Sequence, residues 1–207
     1  MSTTPRVISL NVGAVREVEW QGRIVTTGIW KSPAAGRLSL RGVNVSGDDQ
    51  ADRTVHGGPD KAVYAYARED YDFWRARGIN VHPGLFGENL TIEGIDLREA
   101  LVGEHWHVGS TILEVAQPRL PCFKLGIRMN DPQFLRTFLA AGRTGAYLRV
   151  VQEGDIGAGD DVQVRERPDH GVTIAAMVAA IGDRSKAAAL LSAPRLPKFW
   201  LEVANSG

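Results

Sequence analysis

A single cysteine set between two prolines and two cations is the part of this sequence best placed to do chemistry. It lies in the stretch Thr111-Ile-Leu-Glu-Val-Ala-Gln-Pro-Arg-Leu-Pro-Cys-Phe-Lys-Leu125. Pro118 and Pro121 each fix φ and remove a backbone donor, so residues 119–122 cannot extend a β-ladder and must form a stiff, bent loop. Cys122 stands at its tip, flanked by Arg119 and Lys124. Nearby cations favour the thiolate, the form that binds soft metals or attacks electrophiles. A lone cysteine also reads as a small buried hydrophobe with no chemistry at all, and the residues alone leave both readings open.

Three other places carry chemistry-bearing side chains. In Val55-His56-Gly57-Gly58-Pro59-Asp60-Lys61, two glycines after a histidine permit positive φ and close backbone approach to a ligand, although a plain turn uses the same dipeptide. Asn89 alternates against Leu90 in a short strand and so can line a polar pocket. His105 and His107 share a strand face at i, i+2, a spacing that suits a zinc or copper pair. No third ligand stands at a natural spacing, so the pair reads as solvent-facing histidines.

The elements that must position these groups are mostly strands. Thr111 to Val115 alternates like a half-buried strand and stops at Pro118. Val7 to Val12 is a short strand, and Val15 to Trp20 pairs with Arg23 to Ile29 across Gln21-Gly22 as a hairpin. Lys31-Ser32-Pro33 follows, then a strand at Arg37 to Leu40, and residues 42–52 read as loop. Ala62 to Tyr66 is an apolar run; Ala67, Tyr71 and Trp74 then mark one face of a helix closed by Gly78. Phe86 to Ile92 starts another strand. Asp131-Pro132 opens a helix that buries Phe134, Leu135, Phe138 and Leu139. Tyr147 to Val151 and Asp161 to Arg165 are strands separated by glycine turns at Gly154, Gly157 and Gly159. After Pro168 the pattern turns helical: Ile174, Met177, Val178 and Ile181 repeat at helical spacing, Asp183 caps a second helix through Leu191, and Lys198 to Ala204 is a third. About 40 residues are too few for an independent core, so this tail must dock on the strands or on a second copy of the chain as a homodimer.

The totals narrow the class. In 207 residues, 24 Lys+Arg balance 24 Asp+Glu, which removes any general pull toward nucleic acid or an anionic membrane. One cysteine rules out an internal disulfide and any multi-cysteine zinc or iron–sulfur site. No stretch approaches the about 20 apolar residues of a membrane span and no signal peptide opens the chain, so the expected location is cytoplasmic. Many short strands with glycine turns, two internal helices and a helical tail predict a mainly β (α+β) fold built on a β-barrel. No dinucleotide fingerprint, P-loop or G-x-S-x-G elbow is present.

His56-Gly57-Gly58-Pro59-Asp60-Lys61-Ala62-Val63, Phe86-Gly87-Glu88-Asn89-Leu90 and Gln117-Pro118-Arg119-Leu120-Pro121-Cys122 occur in the order and spacing of MOSC domains. These are named for the C-terminal domain of molybdenum-cofactor sulfurases, and the chain resembles the YiiM-like bacterial stand-alone branch. The resemblance implies a MOSC-type β-barrel over residues 1–167 and a three-helix-like extension over 168–207. It implies a molybdenum–pyranopterin cofactor with Cys122 as the metal's thiolate ligand and catalytic centre. Lys31, His56, Lys61, Asn89 and Arg119 are the expected donors and cations toward the pterin and phosphate. The implied activity is two-electron reduction of N-hydroxylated compounds, including hydroxylamino purine analogues, with electrons from a separate donor protein. The main rival is a sulfur-transfer or cofactor-carrier module; a non-catalytic binding barrel with Cys122 buried is the other.

Overall fold

The computed structural model describes residues 4–51 and 57–205; His56 lies outside them. The first half of the chain forms strands β1 (Arg6–Val12), β2 (Arg16–Trp20), β3 (Arg23–Thr27), β4 (Ser32–Pro33), β5 (Arg37–Arg41), β6 (Asn44–Val45), β7 (Val63–Ala67) and β8 (Leu90–Glu93). The second half adds β9 (His105–Val108), β10 (Thr111–Pro118), β11 (Ala146–Gln152), β12 (Gly154–Gly157) and β13 (Val162–Arg165). Helices α1 (Arg68–Arg75), α2 (Phe123–Met129), α3 (Phe134–Ala140), α4 (Ile174–Gly182) and α5 (Lys198–Asn205) fill the gaps. None is long and apolar enough to cross a membrane.

Eight strands make one sheet in the order β13-β9-β10-β11-β7-β8-β1-β4. Every pairing in it is antiparallel except β7 with β8. The sheet curls so that its ends meet: Val7 N donates to Asp160 O (2.9 Å), Gly159 N to Val7 O (2.7 Å) and Val162 N to Pro5 O (2.7 Å). An isolated bridge joins Arg6 to Asp161. The expected mainly β class is present, but the ladder is stitched at this seam and is not a continuous closed barrel. Gly159, at φ +91°, turns the chain at this seam.

Alternation in β7 explains why there are two cores. All five of its residues are buried. Val63, Ala65 and Ala67 face a cluster of aliphatics with Leu10, Ile92 and Leu113 inside the curled sheet. Tyr64 and Tyr66 point the other way, into an aromatic cluster with Trp74 of α1 and Phe134 and Phe138 of α3. Trp74 and Phe138 stack with centroids 5.6 Å apart, and Trp74 Nε1 donates to the Tyr66 hydroxyl at 2.6 Å. A two-sided strand of this kind reads as an unbroken apolar run, as Ala62 to Tyr66 does.

The helical tail packs on its own sheet. Thr173 Oγ1 accepts from Ala176 N (3.0 Å) and starts α4. Met177, Leu190 and Trp200 share a third cluster with Val102. Trp200 Nε1 donates to Gln117 Oε1 of β10 at 3.0 Å, and Arg195 pairs with Glu114 of the same strand at 2.8 Å. The expected second tail helix is two 3₁₀ turns, Arg184–Lys186 and Ala188–Ser192, although Asp183 does cap the first, its Oδ1 accepting from Ser185 N.

Other differences have local causes. Residues 44–45, expected to be loop, form β6 against β5. Gly154 to Gly157, expected as turns, is a strand paired with Arg37–Leu40. The strand expected from Phe86 begins only at Leu90. The helix after Asp131 starts at Phe134, with Asp131 Oδ1 holding Gln133 N at 2.8 Å just ahead of it. His105 is not a simple solvent-facing side chain: it lies between Glu114 (3.3 Å) and Glu166 (2.8 Å). No group of three metal-ligating side chains occurs among the described residues.

Candidate functional site

The β10–β11 ladder ends where Pro118 faces Ala146, and the loop it releases carries Arg119 and Cys122 directly into α2. Cys122 is half-buried at the first corner of that helix. It forms part of the wall of a pocket of about 610 Å³, partly open to solvent, together with Lys31, Lys61, Asn89, Arg119 and Tyr147. Every expected site residue among the described ones is therefore on one pocket. A second hollow, about 1160 Å³ with its open mouth included, lies between residues 57–61, the proline loop and Pro197–Phe199 of the tail. Cys122 borders both.

Gly57 explains part of this shape. Its φ is +115°, and a Cβ there would meet Gln50 Oε1 at 2.0 Å. Both glycines after residue 56 have positive φ, and the Gln50 side chain fills the space a side chain at Gly57 would need.

Arg119 is a buried charge in the pocket wall, hydrogen-bonded to Tyr147. It is 4% exposed, with its guanidinium 5.9 Å from the Tyr64 ring centroid and 5.8 Å from that of Phe138. Its Nη1 has no hydrogen-bond partner among the described residues. A buried guanidinium N–H without an acceptor is costly and calls for an anionic or carbonyl oxygen from a ligand. Lys31 is nearly as deep, and its Nζ lies 2.5 Å from Asp48 Oδ2. Burial lowers the Lys31 pKa and Asp48 opposes the shift. One of its three N–H donors is spent on Asp48, so others can face a ligand.

Asn89 lines the pocket as expected but is largely committed elsewhere. Its Oδ1 accepts from Tyr64 N (3.1 Å), and its Nδ2 donates to Asn11 O (3.2 Å) and Asp48 Oδ2 (2.9 Å). It clamps β1, β7 and the Lys31–Asp48 pair into one wall. Tyr147 was not singled out by the sequence. It faces Gln117 across β10 and β11, a register that no local pattern reveals. Burial raises its pKa, and Arg119 opposes the shift. At neutral pH it keeps its proton and presents an O–H donor to the pocket.

The loop before Asn89 is held by a buried carboxylate. Glu88 accepts from Gly84 N (2.7 Å), Phe86 N (3.0 Å) and the Tyr71 hydroxyl. Burial pushes its pKa up, against those hydrogen bonds. The native state therefore binds this proton more tightly than the unfolded chain. The group's contribution to stability is full below the ordinary carboxylate pKa and is lost as pH rises through its native value. A Glu88→Gln variant turns an NH₂ group toward a backbone N–H. It is expected to lose about 1–3 kcal/mol and that pH dependence; urea unfolding at several pH values measures both.

A single protein thiol, surrounded by cations and hydrogen-bond donors, cannot build a metal site alone. It does suit a metal that arrives already held by an anionic organic ligand. The donor set thus fits a metal carried by an anionic organic cofactor.

Comparison with known proteins gives the family. Residues 52–163 match the MOSC domain family model. The uncharacterised protein YflK of Bacillus subtilis is 36% identical over 171 residues, covering 81% of this chain and 76% of that one. A Gibberella moniliformis protein named "Reductase" is 32% identical over 167 residues, covering 78% of this chain but only 29% of that much longer protein. The crystal structure of YiiM from Geobacillus stearothermophilus superposes with a TM-score of 0.80 at 30% identity, covering 98% of both chains.

Proposed function

This chain belongs to the MOSC domain family, and on that basis we propose that it is a molybdenum-cofactor-dependent reductase of N-hydroxylated compounds. The observation that carries the reading is the orphaned Arg119 Nη1 in the pocket that also presents the Cys122 thiol and Lys31. Family membership and the reductase named among its relatives support it.

The bound cofactor would supply two-electron redox chemistry at its metal, and the overall change is R–NH–OH + 2 e⁻ + 2 H⁺ → R–NH₂ + H₂O. In this reading Cys122 supplies the protein's one metal ligand, and Arg119 binds the cofactor's anionic edge with its fork of N–H donors. Lys31 and Lys61 add point charges on the same wall. Asn89 and Glu88 position that wall without touching the reaction. Tyr147 holds its proton and donates a hydrogen bond into the pocket beside Cys122.

The test is to purify the protein from a host that makes the cofactor and measure molybdenum and pterin. Near-equal amounts of both are expected, with turnover of N-hydroxylated arenes under reduced methyl viologen. Absence of both, where another molybdoenzyme loads in the same host, overturns the reading. Bound cofactor with no turnover of any N-hydroxylated compound would replace it with the carrier reading.

A further inference from the structure

Arginines over most of this surface are paired with acids: Arg6 with Glu93 (2.5 Å), Arg37 with Asp160 (2.5 Å) and Arg98 with Asp96 (2.7 Å). Arg77, Arg165 and Arg184 also lack an ion pair among the described residues, each in a separate part of the chain, whereas one face gathers several such cations. Arg16 and Arg23 on the β2–β3 hairpin, Lys124 and Arg128 on α2, and Arg136 on α3 have no carboxylate in ion-pair reach among the described residues. Arg16 and Arg128 crowd the same Trp30 ring, 4.6 and 5.6 Å from its centroid. Burial, and then the charge of Arg16, depress the Arg128 pKa. The acids of these elements are Glu17 and Glu19, with Asp131 in the α2–α3 connection, so five cations against three acids leave an excess of two in a chain of zero net charge.

The same face is apolar at its centre. Phe123 is 54% exposed and Ile24 65%. They line one open groove with Trp20, Arg23, Pro132 and Leu135. Phe123 follows Cys122 in the chain, so its Cα lies about 3.8 Å from that of the cysteine. An apolar centre with a basic rim is the composition of a transient docking site for an acidic protein.

We propose that this face, centred on Phe123, with Arg23 in its groove and Arg136 next in the chain to the groove's Leu135, docks an acidic electron-transfer protein that delivers electrons to the Cys122 pocket. The inference rests on the reductase reading, whose reaction consumes two external electrons per turnover; the donor is oxidised and the N–O bond is reduced. The occupant is an acidic protein because a symmetric contact between two copies would set this cation excess against itself.

Reduced flavodoxin, a small acidic flavoprotein, is the probe, with methyl viologen as the small reductant. Arg23→Glu combined with Arg136→Glu leaves the pocket residues untouched. With the cofactor-loaded enzyme, the second-order rate with flavodoxin is expected to fall about tenfold or more and to lose its salt dependence. The viologen rate should stay the same. Equal flavodoxin rates in wild type and variant, or no use of flavodoxin by a wild type that viologen drives, would overturn the docking proposal. If viologen itself drives no turnover, the reductase reading fails instead. Docking is then judged from flavodoxin binding by calorimetry: weaker binding in the variant supports it, and equal or absent binding refutes it. A wild-type dimer that the double substitution dissociates would assign the face to a second copy of the chain and refute it as well.

Discussion

Molybdenum and pterin retention in a Cys122→Ser variant is expected to fall by at least about 100-fold, since even the outer partners of metal ligands cost 10–100-fold when replaced. Turnover of N-hydroxylated compounds should fall with it. The change swaps one chalcogen for a smaller one at a half-buried position, so stability should stay within about 0.5–1 kcal/mol of wild type. A hydroxyl is not ionised at neutral pH and is a harder donor than a thiolate, so it cannot replace a soft metal–sulfur bond. Metal analysis and urea unfolding on the same preparation separate the two effects. Full molybdenum occupancy in the variant would remove Cys122 from the metal.

Arg119→Met makes the opposite trade visible. The wild-type guanidinium is buried with Nη1 unsatisfied, and a methionine fills similar volume without a desolvated charge. The cofactor-free variant should be as stable as wild type or up to about 2 kcal/mol more so. Loss of the hydrogen bond to Tyr147 and of the weak ring contacts with Tyr64 and Phe138 offsets part of the gain. Cofactor retention should drop about 30-fold or more, as when a buried, hydrogen-bonded charge loses its partner. Thermal unfolding of the apo protein and pterin content of the loaded one are the two readouts. A variant that is less stable and still loads normally would make Arg119 a structural residue.

Much of this arrangement was legible where local chemistry decides it. Gln21 and Gly22 both have positive φ (+51° and +74°), as a two-residue hairpin turn requires. Pro118 ends its ladder because it has no N–H to donate onward. α2 was missed because it follows two prolines and carries a glycine in its centre. Gly126 is there for tertiary reasons: a Cβ would meet Leu135 Cδ1 at 3.0 Å and Asp131 O at 3.2 Å. Asn89 lines the pocket, yet its role as a clamp depends on Asn11 and Asp48, both distant in sequence. The orphaned donor of Arg119 is likewise a property of what surrounds it, which no spacing encodes.

The Trp200–Gln117 bond joins residues 83 positions apart. At roughly 5–20 residues per second, Gln117 is synthesised about 4–17 s before the tryptophan that anchors the tail beside it. During that interval the proline loop can form on β10 and β11 while the side later bordered by Pro197–Phe199 is still bare. The thiol of a nascent chain is thus accessible from a direction that the folded tail later narrows. Newly made protein should therefore be more sensitive to thiol oxidants than mature protein.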